Sequence, residues 1–243
     1  MNAESKTWRA VLYGNYSAHF SSGKEHNPEL HHHLFSQTYN GLLPANKDGP
    51  VLDLGCGKGE WLSWLQNQGY ASLSGVDLSA EDLAVAARLG IATHQSDVIR
   101  HLQKFSGHFA IIHAKDLIEH LDKDELVLLG QTVLRALRPG GVFIASTFNA
   151  QAPLSAVTRY GDFTHEFGFT PSSMRQWLSA CGFSKNVVRG IHVCPRSLRG
   201  KLRKALYRVV NSASSLLLTL RHGKDDPANL DCSPDLICVA TKG

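Results

Sequence analysis

Three glycines at alternate positions, Gly55, Gly57 and Gly59, follow directly on the apolar run Val51-Leu52-Asp53-Leu54. Without a Cβ, glycine lets the main chain take tight-turn geometry and approach a ligand closely. The spacing separates possible ligands, because a dinucleotide fingerprint needs its third glycine at position 60, which holds Glu60. A phosphate-cradling Gly-x-x-x-x-Gly-Lys-Ser/Thr loop is missing as well. Asp53, just upstream, puts an acid beside the loop and suits a ligand that carries positive charge. A second chemical group lies later in the chain, in Arg159-Tyr160-Gly161-Asp162-Phe163-Thr164-His165-Glu166. His165 is the candidate general base there: an imidazole titrates near neutrality, and Asp162 or Glu166 is placed to orient its ring. Asp162, His165 and Glu166, together with Asp116, also offer donors for a divalent cation, but their spacing is no recognised metal motif and no metal is expected. Arg159 and Tyr160 are suited to binding sugar hydroxyls or a phosphate, the bland alternative being a solvated loop.

These residues need a scaffold, and the chain supplies one by alternating short apolar runs with helical patterns from Val51 onward. That alternation predicts a doubly wound α/β domain, a seven-stranded and mostly parallel sheet with helices on both faces. Strands are expected at Val51 to Leu54, Leu73 to Asp77, Ala92 to Gln95, Phe109 to Ala114, Val142 to Phe148, Asn186 to Arg189 and Leu236 to Thr241. Pro139-Gly140-Gly141 reads as a turn before the fifth strand. Thr170-Pro171 reads as an N-cap followed by a first helical residue. Residues 1–46 form an N-terminal helical extension that places Tyr13, Tyr16, His19 and Phe20 on one face, packed against the sheet edge or closed over the ligand. Residues 47–243 form the domain proper, with a basic amphipathic helical insertion at 191–231 before the last strand. The adjacent His31-His32-His33 lack helical ligand spacing and are assigned no site.

Composition narrows the class. With 43% hydrophobic and 19% charged residues over 243 positions, the chain is globular rather than disordered. Its net charge of +4 divides unevenly: eight cations and no acid lie between Arg196 and Lys224, leaving −4 on the remainder. A basic appendage on an acidic body argues against a nucleic-acid-binding protein. Within the appendage Leu198, Leu202, Leu206, Val209, Ala213, Leu216, Leu217 and Leu220 recur at helical steps, with cations mostly between them, one or two helices suited to an anionic membrane surface, a lid or a dimer face. The five cysteines are scattered and form no Cys-x-x-Cys pair, which fits a reducing compartment. With no secretory signal and no membrane-spanning apolar run, a cytoplasmic protein is expected, peripheral at the inner face of the membrane if the basic helices dock there.

Asp53-Leu54-Gly55-Cys56-Gly57-Lys58-Gly59 resembles the first motif of class I S-adenosylmethionine-dependent methyltransferases, and four further motifs follow in order. The resemblance implies a Rossmann-like fold and S-adenosylmethionine as cofactor, held by Asp53, Gly55, Cys56, Gly57, Asp77, Leu78, Asp97, Val98 and Asp116. Asp77 matches the acid that accepts from both ribose hydroxyls, Asp97 the residue beside the adenine, and Asp116 with Glu119-His120 the segment near the methionine end. Asn149, the Asp162-x-Thr164-His165-Glu166 segment and Phe169-Thr170-Pro171-Ser172-Ser173 resemble a subgroup associated with bacterial surface-glycan synthesis, including O-antigen and capsule. That similarity implies methylation of a saccharide hydroxyl on a lipid-linked or nascent glycan, with Asn149, Arg159, Tyr160 and His120 toward the acceptor. Two alternatives share the cofactor: a small-molecule, quinone-type O-methyltransferase, for which Glu119-His120 is also suited, and a non-catalytic cofactor-binding subunit. An RNA substrate is disfavoured by the acidic body and by the lack of an Asn-Pro-Pro-Tyr-like motif.

Overall fold

The computed structural model describes Arg9, residues 11–12, 28–223 and 230–243. Tyr13, Tyr16, His19 and Phe20 lie outside the described residues. Helix α1 (Pro28–Tyr39) leads into β1 (Val51–Leu54), α2 (Glu60–Asn67), β2 (Leu73–Asp77), α3 (Ala80–Arg88), β3 (Ala92–Gln95), α4 (Val98–Leu102) and β4 (Phe109–Lys115). After a 3-10 turn at Ile118–His120 come α5 (Lys123–Ala136), β5 (Leu137–Phe148), α6 (Ser155–Gly161), α7 (Pro171–Ala180), β6 (Lys185–Gly190), α8 (Leu198–His222) and β7 (Asp235–Thr241). The seven strands form one sheet in the order β3-β2-β1-β4-β5-β7-β6, and only β7 runs antiparallel to its neighbours. The expected doubly wound sheet is therefore present.

The local signals account for the element ends. Asp122 and Glu125 form a reciprocal capping box that starts α5. Thr170 caps α7 with Pro171 in its first turn, as the sequence predicts. One element differs. Leu137 pairs with Phe109 and Val142 with Ile111, so Arg138 to Gly141 bulge out of a continuous β5 instead of forming a turn ahead of it. A Cβ on Gly141 would lie 2.9 Å from the Phe109 and Arg138 carbonyl oxygens, which is why the bulge takes glycine there.

Strand alternation sorts the side chains into two cores. Leu52, Leu54, Ile112 and Phe143 face one helical layer with Trp177 of α7. Val51, Ile111 and Ile144 face the other, with Phe35 and Tyr39 of α1 and Trp61 and Trp64 of α2. Asp53 and His113 stand in register at the same alternation as that second set, so they enter a layer that is otherwise aromatic. The parallel register also brings the ends of β1, β2, β4 and β5 to one edge, where open α/β sheets bind their ligands.

Candidate active site

The glycine loop is built as a cradle. Gly55, Gly57 and Gly59 have φ of 68°, 49° and 77°, a region L side chains rarely adopt. A Cβ on Gly59 would also lie 2.9 Å from both Ala86 and Ile91. Asp77 holds the cradle from the end of β2: its Oδ2 accepts from the Gly57 N–H at 2.8 Å and its Oδ1 from the Ser79 N–H at 2.9 Å. Leu78 beside it is exposed, an apolar surface at the rim. Asp97 is exposed and caps α4 by accepting from the Arg100 N–H at 2.9 Å, while Val98 is buried beneath that turn. Cys56 departs from the simple expectation. Its side chain packs inward among the buried aromatics, burial pushes its thiol far up, and only its main chain remains to meet a ligand.

Asp53 is tied from below. The His113 Nδ1–H donates to Asp53 Oδ1 at 2.7 Å, and the Tyr39 hydroxyl donates to His113 Nε2 at 2.8 Å. All three residues are buried, and the His113 ring stacks on Trp61 with centroids 3.8 Å apart. This chain connects α1 to the acid beside the cradle. Tyr39→Phe is expected to cost about 1 kcal/mol, the net worth of one hydrogen bond. His113→Leu, which strands a buried carboxylate, should cost about 3 kcal/mol or more. Denaturant midpoints check both.

At the end of β4, Asp116 takes φ 50°, uncommon for any residue but glycine, and pairs with Lys115. The next residues form the 3-10 turn that carries Glu119 and His120. The loop 162–167 is strapped onto that turn: the Glu166 and Phe167 N–H groups donate to the Glu119 carbonyl at 2.7 and 3.0 Å. Thr164 donates its hydroxyl to Asp162 Oδ1 at 2.6 Å and lies 2.8 Å from His120 Nδ1. With that hydroxyl proton directed at the carboxylate, His120 Nδ1–H is the donor to Thr164 and Nε2 carries the lone pair. The rings of His120 and His165 then lie 4.8 Å apart, and His165 Nδ1 donates to the Thr158 carbonyl at 3.0 Å. Glu119, His120 and His165 bring one donor atom each within 4.8 Å of one another, a more compact set for a cation than the four residues the sequence suggested.

Several assignments change in detail. Asp162 spends its Oδ1 on Thr164 and stands 4.0 Å from His165 Nε2, so its hydrogen-bonded connection is to His120, through Thr164. Glu166 joins the site through its backbone N–H. Arg159 clamps the carbonyls of His165 and Glu166 and lies 5.2 Å from the Tyr160 ring, fixing the loop rather than reaching an acceptor. Asn149 is wholly buried and its amide donates to the Asp231 and Ser233 carbonyls at 2.8 Å each, while its Oδ1 accepts from Gln151. A buried amide must satisfy its donors, and these bonds pin the end of β5 to the segment before β7. Asn149 and Arg159 are thus both bonded to the backbone around the site, while Tyr160 is exposed and His120 stands in the cluster. Reading the sequence alone placed Glu119 only through the segment it shares with His120, and missed Thr164, His113 and Tyr39 as working residues. A histidine inside the apolar run Phe109 to Ala114 was the one available signal.

Burial, then the neighbouring His165, pushes His120 down to about 4 from 6.5. Glu119 moves the other way, to about 8, through burial and then the Asp116 charge; its Oε2 is buried without a hydrogen-bond partner. The histidine shift carries a sign: the unfolded chain binds the proton more readily between pH 6.5 and 4. The stability that the neutral ring contributes is therefore complete above the unfolded value and is lost as pH falls through the folded one. His120→Gln should flatten the fall in Tm across that window, read by thermal melts at successive pH.

A pocket adjoins His165. It lies between α6 and α8 and is lined by Phe148, Pro153, Leu154, Thr158, Tyr207 and Pro234. Phe148 also contacts the His165 ring, centroids 5.3 Å apart.

Comparison with known proteins fits this geometry. The family described as "Methyltransferase domain" matches residues 28–187. The ubiquinone biosynthesis O-methyltransferase of Erwinia tasmaniensis is 26% identical over 185 residues, covering 69% of this chain and 73% of that protein. The malonyl-[acyl-carrier protein] O-methyltransferase of Enterobacter lignolyticus is 30% identical over 148 residues, 59% of this chain and 54% of that one. Among solved structures, a SAM-dependent methyltransferase from Archaeoglobus fulgidus superposes with TM-score 0.67 at 20% identity, covering 95% and 99% of the two chains. Phosphoethanolamine N-methyltransferase 2 of Haemonchus contortus, solved with S-adenosylhomocysteine, gives 0.61 at 16%, covering 96% and 58%. The cradle of left-handed glycines, the acid closing it from β2 and the exposed Leu78 fit an adenosyl group with a positively charged sulfur. The chain belongs to the methyltransferase-domain family and is a class I S-adenosylmethionine-dependent methyltransferase.

Proposed function

We propose that this enzyme methylates a hydroxyl of a small aromatic acceptor of the phenol or quinol type, with Asp77, Leu78 and Asp97 toward the adenosine and Asp53, Gly55, Cys56 (by its main chain), Gly57, Val98 and Asp116 completing the cofactor site. S-adenosylmethionine supplies an electrophilic methyl group on a sulfonium. The protein's own task is to align the acceptor oxygen and remove its proton. His165 takes that proton at Nε2, its ring oriented by the Thr158 carbonyl. His120, kept neutral by burial and by the neighbouring His165 and oriented by Thr164, and Glu119 complete the polar wall of the acceptor site.

One observation carries the acceptor class: the imidazole pair stands beside a pocket lined by Phe148 and Tyr207, with exposed aromatics at Tyr160 of α6 and Phe163 of the loop that follows it. A planar ring fits such a wall. A phenolic proton, at a pKa of about 10, is within reach of an imidazole, whereas an aliphatic sugar hydroxyl holds its proton far more tightly. The relatives named as ubiquinone biosynthesis O-methyltransferases support the same class. The surface-glycan reading keeps its resemblance in the Asp162 to Ser173 segment but loses Asn149 and Arg159 as acceptor contacts, since both are committed to the fold. Parallel turnover with catechol and with a simple glycoside, followed by release of S-adenosylhomocysteine, tests the choice. Catechol is expected to react; methylation of the glycoside alone would reverse the assignment.

A further inference from the structure

Helix α8 is turned opposite to an ordinary surface helix. An amphipathic helix normally buries its apolar stripe against the core. Here Leu198, Leu202, Leu206 and Leu220 are 84%, 64%, 62% and 74% exposed, and Val209 and Leu216 are exposed with them. At about 100° per residue, these six side chains fall within one arc of roughly 80°. Lys204, Tyr207, Asn211, Ser215 and Leu218, centred about 180° away, are among the half-buried positions. This face holds the helix to the body: Lys204 Nζ donates to the Val193 carbonyl and Ser215 Oγ to the Leu230 carbonyl, each at 2.6 Å. Cations flank the leucine stripe on both sides, Arg199, Arg203 and Arg221 along one edge and Lys201 and Arg208 along the other, and no acid falls within α8.

An apolar stripe bordered by basic side chains matches one environment in both respects. Its leucines enter an acyl boundary while the long cationic side chains reach back to anionic headgroups. Register places this surface near the active site. Gly190 at the end of β6 pairs with Leu236, and Phe148 at the end of β5 pairs with Asp235, so α8 springs from the same sheet edge as the catalytic loop. Tyr207 of α8 lines the pocket beside His165. No helix among the described residues is long and apolar enough to cross a membrane.

We infer that α8 docks the enzyme flat on an anionic lipid bilayer, with the acceptor pocket held near the headgroups. This surface is independent of which hydroxyl is methylated. The full chain is centrifuged with vesicles of phosphatidylcholine alone and with vesicles that also contain phosphatidylglycerol, at low and high salt. It is expected to sediment at least about tenfold more with the anionic vesicles at low salt, and to be released by salt. Leu202→Asp combined with Leu206→Asp should abolish sedimentation without changing turnover of a soluble acceptor. Failure of the unaltered chain to sediment would overturn the inference. So would a dimer in solution that the same double variant converts to monomer, because the stripe would then be a contact between two copies.

Discussion

Asp77→Ala is expected to lower affinity for S-adenosylmethionine by about 100-fold or more while leaving the fold intact. The side chain contributes twice. Its two oxygens accept the Gly57 and Ser79 N–H groups and so set the cradle and the turn that follows β2. In the proposed site the remaining lone pairs accept from the ribose hydroxyls. Hydrogen bonds to a charged group contribute about 1.5–3 kcal/mol each, and about 1.4 kcal/mol is a factor of ten in affinity, so losing two gives the stated fall. Asp77→Asn keeps the volume but turns an amide N–H toward one of two backbone donors, and should lose roughly tenfold. Calorimetric titration with S-adenosylhomocysteine reads both losses, and a thermal melt checks the fold. Unchanged affinity in the alanine variant would remove the ribose contact from the account.

His165→Ala should reduce kcat by about 100-fold to 10,000-fold, the usual worth of general base catalysis, with cofactor affinity unchanged. The separation follows from geometry. His165 contacts the Thr158 carbonyl, His120, Phe148 and Asp162, whereas the cradle is held by Asp77 from β2. Thr164→Val removes the hydroxyl between Asp162 and His120 and should weaken acceptor binding more than the chemical step, a rise in KM exceeding the fall in kcat. If His165→Ala retains full kcat, the base lies elsewhere in the cluster, and Glu119→Gln becomes the decisive variant.

The sheet was legible in the sequence because its signals are local. An apolar run of four to seven residues ending in a glycine or acid marks a parallel strand, and the expected strands lie where the structure has them to within a residue or two, β5 excepted. The β5 difference arose because Pro139-Gly140-Gly141 has turn composition, while the Phe109 to Leu137 pairing that draws it into a bulge is long-range. The cofactor cradle was legible for the same reason as the strands: Gly55 to Gly59 and Asp77 lie at adjacent strand ends. The acceptor side was not. Asn149 is claimed by carbonyls 82 and 84 residues away, and Thr164 meets His120 across 44 residues. Such pairings leave no periodic trace. The orientation of α8 was equally hidden, since an amphipathic pattern shows two faces without showing which one meets the body.

In the proposed function the cradle and the His165 cluster together perform O-methylation. Enzyme loaded with S-adenosylmethionine carrying a deuterated methyl, mixed with catechol and followed by mass spectrometry and NMR, tests it most directly. A deuteromethyl ether on the phenolic oxygen is expected, absent with Asp77→Ala and strongly slowed with His165→Ala. Tight cofactor binding with no ether formed, or label found on carbon, would contradict it.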